Sequence, residues 1–394
     1  MKMIITPEYI KNFSCIADKC EDHCCHSWDI SIDKSTYQFM TQKSELKNKA
    51  AKVILRTKGE SPYYAKIELD NNGVCPFREN NGLCEVHKVH GHKRLSNTCQ
   101  SYPRISTIRG YKKEHNLSLS CPEAARQILL NPAAMEFHQE NYPDDIFKAN
   151  NYSRPVWYNT VQQFIVDILF INNSSLEQRL SYIGMTLRLI APYTNQPDEL
   201  QKRLLLCCEE INNNNFNQLY DNQQTSSDIQ AGLLIKIFNF RIDLESKRNL
   251  IIAYERFDSI HKQLIESLSL ANGDSDKQKK ILQYGFNNNY TNYFKENTHI
   301  WINYIIYVFY QNDFPAKDMQ KIYSDLIVDF FIIRGVLSAI SSMRELNDDD
   351  VILVFQTYHR IRSHNKDFMK NINEICNEIK ANNTILPLLL IKNS

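Results

Sequence analysis

Cys15-Ile16-Ala17-Asp18-Lys19-Cys20-Glu21-Asp22-His23-Cys24-Cys25 opens a series that continues through Cys75, Cys84, Cys99 and Cys121. Of the 11 cysteines in 394 residues, only Cys207, Cys208 and Cys376 lie beyond it. Thiols gathered in this way staple a small domain with disulfides, hold a soft metal, or carry out redox chemistry. The first residues carry one lysine and a very short apolar run before Pro7, which is no signal-peptide pattern. The expectation is therefore a cytoplasmic chain, where stable disulfides are rare and metal binding is the favoured use of the thiols.

The rest of the composition narrows the function classes. Lys+Arg is 46 and Asp+Glu is 45, so charge offers no bulk attraction to nucleic acid or to a membrane surface. The longest apolar stretches, around 300–310 and 326–337, are interrupted by Asn303, Asp329 and Arg334 and are too short to span a bilayer. Glycine is scarce, and its closest neighbours are Gly73, Gly82 and Gly91. No G-x-G-x-x-G and no P-loop can be written, which disfavours a Rossmann-type or nucleotide-binding fold.

Outward from the cysteines, the pattern divides the chain into two domains. Residues 1–150 read as a small, irregular α+β, metal- or cluster-binding domain. Residues 151–394 read as a larger all-α domain with a possible substrate-docking role, so the fold class is mainly α. In the first part, His26–Asp33 and Ala65–Leu69 alternate apolar and polar residues with the period of a half-buried strand. Asn81-Gly82 between Cys75 and Cys84 is a hairpin signal that sets those two cysteines across a turn. Ser120-Cys121-Pro122-Glu123 reads as a capping box that starts a helix, placing Cys121 at the positive end of a helix dipole, where thiolate is favoured. Helical periodicity then covers roughly 157–171, 176–191, 198–212, 228–243, 246–270, 275–295, 298–311, 317–345 and 349–381, with Asn/Gln-rich joints. Leu326–Leu337 is apolar on nearly every side and is expected to be the central buried helix.

Thiolates select zinc, copper(I) or an iron–sulfur cluster. A zinc knuckle usually wants C-x2-C, which this chain lacks, and the adjacent Cys24 and Cys25 point opposite ways on an extended backbone. Spacing favours a cluster over zinc, leaves zinc open, and does not separate one centre from two. His23, His26, His87, His90, His92 and His115 lie nearby as mixed-site ligands or as ordinary hydrogen-bonding histidines. Cys99-Gln100-Ser101-Tyr102-Pro103-Arg104 places an aromatic and an arginine beside a thiol. Arg104 suits a carboxylate by its planar fork, and the bland alternative is a surface turn. Trp28 is expected to pack the small core.

These same stretches carry a resemblance. Cys15…Cys20…Cys24-Cys25 followed by Trp28–Asp33 resembles the flagellin lysine-N-methylase family, as do Cys75-Pro76-Phe77, Asn81–Cys84, Leu95–Cys99, Tyr102-Pro103-Arg104 and Leu117–Arg126. The N-terminal part is also similar to the broader zinc- or iron-chelating cysteine domain. Asn303–Tyr307 and Arg362-Ser363-His364-Asn365 look like the family more diffusely. The resemblance implies methylation of flagellin lysine ε-amines with S-adenosylmethionine as donor and a cysteine-ligated iron–sulfur cluster, 4Fe-4S, drawn from Cys15, Cys20, Cys24, Cys25, Cys75, Cys84, Cys99 and Cys121. Tyr102 and Arg104 are the candidate cofactor-binding residues. Tyr102 and Glu123 lie beside cysteines as possible proton acceptors, and no catalytic residue is assigned. Cys20-x3-Cys24-Cys25 is not the C-x3-C-x2-C motif of radical enzymes, so a radical mechanism is not supported. The alternative is a non-catalytic zinc-binding adaptor.

Overall fold

The computed structural model describes residues 1–22, 24–25, 30–59, 63–71, 73–222, 229–234, 236–237, 275–364, 368–378 and 390–392. His23, His26, Trp28, the segment 246–270 and parts of 228–243 lie outside the described residues.

Two sheets build the strand-containing N-terminal region. Strand β1 (Lys2–Pro7) runs parallel to β6 (Lys112–Leu117) on one side and antiparallel to β7 (Phe137–Tyr142) on the other. β5 (Arg104–Arg109) forms a hairpin with β6, giving the order β5-β6-β1-β7. The hairpin turns at Gly110, whose φ of +62° favours glycine. A smaller sheet holds β2 (Ser31–Ile32), β4 (Ala65–Ile67) and β3 (Ile54–Arg56) in that order. The alternating stretch at 65–69 thus forms a strand as its period implies, with Ala65 and Ile67 buried and Lys66 exposed. Short helices fill the intervals: α1 (Glu8–Asn12), α2 (Lys34–Gln38), α3 (Lys47–Val53), α4 (Glu85–His90) and α5 (Asn97–Ser101).

Longer helices follow. They are α6 (Pro122–Leu129), α7 (Tyr158–Leu169), α8 (Leu176–Ile190), α9 (Pro197–Asn212), α10 (Asn215–Asp221), α11 (Ser275–Gly285), α12 (Thr291–Glu296), α13 (Thr298–Gln311), α14 (Met319–Ser341), α15 (Asp348–His364) and α16 (Phe368–Glu378). The architecture is mainly α with a small α+β region, as the sequence pattern implies. α14 is the central helix: every residue from Leu326 to Ser341 is buried. Gly285 packs so closely on it that a Cβ would fall on the Ser338 carbonyl oxygen. Among the described residues no helix is long and apolar enough to cross a membrane.

Several boundaries differ from the sequence reading. The stretch 275–295 is not one α-helix, because a π-helical turn at Phe286–Tyr290 separates α11 from α12. Helix α10 follows Asn214, whose φ of +64° turns the chain where the Asn-rich run suggested only a joint. The capping box at Ser120 is also absent. Cys121 occupies the N-cap position and Pro122 begins the helix. The Ser120 hydroxyl meets Ser118 Oγ at 2.7 Å and Tyr102 at 3.1 Å instead.

Apolar burial falls into two cores. One gathers Ile30, Ile32, Met40, Phe77 and Cys75, with Cys25, Cys84 and Cys99 packed against it. The larger one unites Tyr9, Phe13, Leu117, Cys121 and α6 with the helices. Tyr307 on α13 donates to the Leu117 carbonyl at 2.9 Å, and Tyr310 to that of His115 at 3.1 Å. A buried ionic cluster closes the same seam. Glu114 on β6 pairs with Arg109 and Arg154, and Arg154 also reaches Asp313, which is fully buried and accepts from Tyr152.

Candidate thiol centre

The cysteines arrive from five local structures. Cys15 is exposed, and Cys20 closes a 3-10 turn at Ala17–Lys19 by donating its N–H to Ala17 at 3.1 Å. Cys25 accepts the Cys75 N–H at 2.7 Å, joining the first group to the second through the backbone. The Asn81-Gly82 turn forms as its sequence implies: Gly82 has φ +84°, Glu79 and Leu83 are bonded across it, and Arg78 pairs antiparallel with Cys84. Cys84 is then the N-cap of α4, and Cys99 lies in α5, where Ser96 caps the helix by accepting the Cys99 N–H at 3.3 Å. Cys121 is the N-cap of α6.

The electrostatics separate these thiols into two neighbourhoods. Negative charge on Cys24 raises the pKa of Cys25, Cys75, Cys84 and Cys99, and Cys75 and Cys84 act on Cys99 as well. Cys15 and Cys20 act on Cys121 in the same way. Buried Tyr102 responds to both Cys121 and Cys24, so it stands between the groups. Burial is the first cause pushing Cys20 and Cys75 up to about 11 and Cys99 and Cys121 up to about 12. For Cys121 this overturns the dipole expectation. The Ala124 and Glu123 N–H groups do favour thiolate, but loss of solvent outweighs them. The adjacent pair splits. A hydrogen bond from Cys25 holds Cys24 down at about 7, while Cys25 itself is pushed up.

Soft, desolvated thiols that keep their protons only for lack of a counter-charge are the donor chemistry of a thiophilic metal or cluster, since a cation takes the place of those protons. Among the described residues no group of three or more His, Cys, Asp or Glu stands close enough to hold a single ion as placed. The donors therefore fit by chemistry and neighbourhood rather than as a preformed cage.

The flanking candidates are engaged as follows. The Tyr102 hydroxyl lies 3.1 Å from Ser120 Oγ, and burial raises its pKa well above the usual phenol range, so it keeps its proton. The Arg104 guanidinium stacks on Phe13, 4.8 Å from the ring centre and two residues before Cys15. Glu123 is shared by Arg126 at 3.0 Å and Gln127 at 2.8 Å. His90 meets Ser44 at 2.7 Å, His115 meets Ser106 at 2.9 Å, and the His87 ring packs edge-on to His92.

Residues that sequence reasoning missed come from α15. Gln356 donates to Asp22 at 2.7 Å and to the Ser120 carbonyl at 3.0 Å, and Arg360 donates to the same Asp22 oxygen at 2.5 Å. No local signal marks them, because their partners lie more than 230 residues upstream. Elsewhere, a cleft of about 800 Å³ opens between α7 and α13, with Ile302, Ile306 and Phe309 among its lining residues and Glu136 contributing a carboxylate.

A thiol-rich module wedged against an α-helical domain defines the class of protein. Residues 162–391 match the FliB lysine N-methylase C-terminal domain, and the chain belongs to that family. It is 22% identical over 401 residues to a lysine-N-methylase of Salmonella typhimurium and 23% identical over 410 residues to one of Salmonella choleraesuis, with 98% of each chain covered in both comparisons. It is also 34% identical over 135 residues to the flagellar biosynthetic protein FliU of Salmonella muenchen, covering 34% of this chain and 80% of that one. No solved structure matches.

Proposed function

We propose that this chain is a cytoplasmic, S-adenosylmethionine-dependent protein-lysine N-methyltransferase acting on flagellin, with a cysteine-ligated iron–sulfur cluster of the 4Fe-4S type. The observation that carries the reading is the gathering of Cys24, Cys25, Cys75, Cys84 and Cys99 into one electrostatic neighbourhood, held beside helices of the matched methylase domain. The names of the relatives support lysine as the acceptor, and the FliU likeness supports a flagellar substrate.

The ligands would come from those five thiols, with Cys15, Cys20 and Cys121 as the neighbouring group. When bound, a cluster with an open iron position supplies an anchor for the amino and carboxylate groups of S-adenosylmethionine. Everything else falls to the chain. The acceptor ε-amine has an ordinary pKa near ~10.4 and attacks only when neutral, so an apolar wall that penalises its charged form favours reaction. The nitrogen–carbon bond then forms as the sulfonium–carbon bond breaks, S-adenosylhomocysteine departs, and the amine proton passes to solvent or a side chain. Tyr102 contributes a protonated hydroxyl as a hydrogen-bond donor, and Arg104 offers a guanidinium for a carboxylate, stiffened by Phe13.

The test is anaerobic purification with a visible spectrum and iron, sulfide and zinc quantification, followed by methylation of flagellin by mass spectrometry. Brown protein with equal iron and sulfide, near ~4 per chain, and added multiples of 14 Da on flagellin lysines support the reading. Colourless zinc protein without methylation would replace it with the adaptor reading.

A further inference from the structure

Helix α15 grips two cysteine-bearing stretches at once. Asp22 lies between Cys20 and Cys24, and Ser120 immediately precedes Cys121. Gln356 bonds both Asp22 and the Ser120 carbonyl, and Arg360 pairs with the same Asp22 oxygen. Gln356 and Arg360 are one helical turn apart and so share a face. They are only 4% and 6% exposed, which keeps the Arg360–Asp22 pair from being screened as a surface pair would be. A buried guanidinium and amide are costly unless partnered, so their placement against Asp22 and Ser120 specifies that contact over others.

We infer that Gln356 and Arg360 are positioning residues: a latch by which the helical half holds the Cys20–Cys24 stretch against Cys121, so that the two thiol neighbourhoods come together only while α15 is docked. The latch is a property of the chain itself. Only its consequence, that docking of α15 governs assembly of the centre, rests on the proposed function.

The test uses the full-length, reduced, metal-free chain and pulse labelling with iodoacetamide, read cysteine by cysteine by peptide mass spectrometry. In Q356L and R360M, Cys20 and Cys121 are expected to label about ten-fold faster than in the natural chain, as follows when one buried charge-assisted bond no longer holds a segment closed. Cys207, buried in the helical core, serves as the control and should be unchanged. R360D should open the same sites, and D22R combined with R360D should slow labelling again, which general loosening of the fold would not do. Unchanged labelling of Cys20 and Cys121, or equal acceleration at Cys207 without rescue by the charge swap, overturns the latch. Anaerobic addition of iron and sulfide separates this from the wider reading. Reduced iron uptake in Q356L and R360M supports the coupling to the centre. Expected labelling combined with no iron uptake by the natural chain would leave the latch standing and remove the cluster.

Discussion

The hydroxyl of Tyr358 donates to Oδ1 of Asp329 at 2.6 Å, inside the helical half, where Asp329 is fully buried. Nε of Arg362 reaches the same oxygen at 2.9 Å, Tyr304 approaches Oδ2 at 3.3 Å, and His359 lies 3.0 Å from the Tyr304 hydroxyl. A lone carboxylate in the central helix would be prohibitive, so α13, α14 and α15 are keyed together by the groups that satisfy it.

Removing that carboxylate strands Arg362. D329L should lower the unfolding free energy by about 3 kcal/mol or more, the usual result of breaking a buried ion pair from one side. Urea unfolding followed by circular dichroism measures it, and a loss under about 1 kcal/mol would mean that the pair does not organise the core.

His359 makes the same region sensitive to acid. Burial first, and the Arg362 cation second, hold its pKa well below 6.5. The groups facing it are Tyr304, Tyr307 and Tyr358, all pushed up as phenols and so uncharged near neutrality. Below pH 6.5 the unfolded chain gains a proton that the folded one refuses, so stability is full above that pH and falls as pH drops through it. The slope attributable to His359 approaches about 1.4 kcal/mol per pH unit, and H359Q should remove it when urea titrations at pH 7.5 and 5.5 are compared.

Thiol identity is separable by metal content. C25S, C75S, C84S and C99S should each lose most of the iron and the visible absorption of anaerobically prepared protein. C207S should retain both, because Cys207 sits apart in the helical core. Iron retained by all four variants would place the centre elsewhere.

Arg104 is assigned to a carboxylate of the methyl donor. R104M should raise KM for S-adenosylmethionine about ten-fold or more, the scale of one lost charge-assisted bond, with kcat less affected. An unchanged KM would limit the residue to its stacking contact with Phe13.

Sequence reasoning reached elements whose determinants are local. Leu326–Leu337 announces a buried helix because apolar residues surround every turn, and the 65–69 strand and the Asn81-Gly82 turn follow from period and turn chemistry. What escaped it depends on distant partners. β5, β6 and β7 carry many charged and polar residues, and their pairing with β1 bridges more than a hundred positions. Asp329 reads only as an interruption until the three helices that satisfy it are assembled. The capping box at Ser120 failed because two hydroxyls, Ser118 and Tyr102, compete for that side chain. The eight thiols were legible as a pool, but their division into two neighbourhoods arises from the backbone joints between Cys25 and Cys75 and around Cys121.

The central position of β1 sets a schedule for biosynthesis. Its neighbours are residues 112–114 on one edge and 137–142 on the other. In a nascent chain growing at about 5–20 residues per second, that strand waits roughly 7–30 s before both edges can be covered. Throughout that interval the unpaired segment and the first four cysteines travel together with no native neighbour. The vulnerable moment for this protein is thus early in its synthesis, when mispairing and thiol oxidation compete with completion of the sheet.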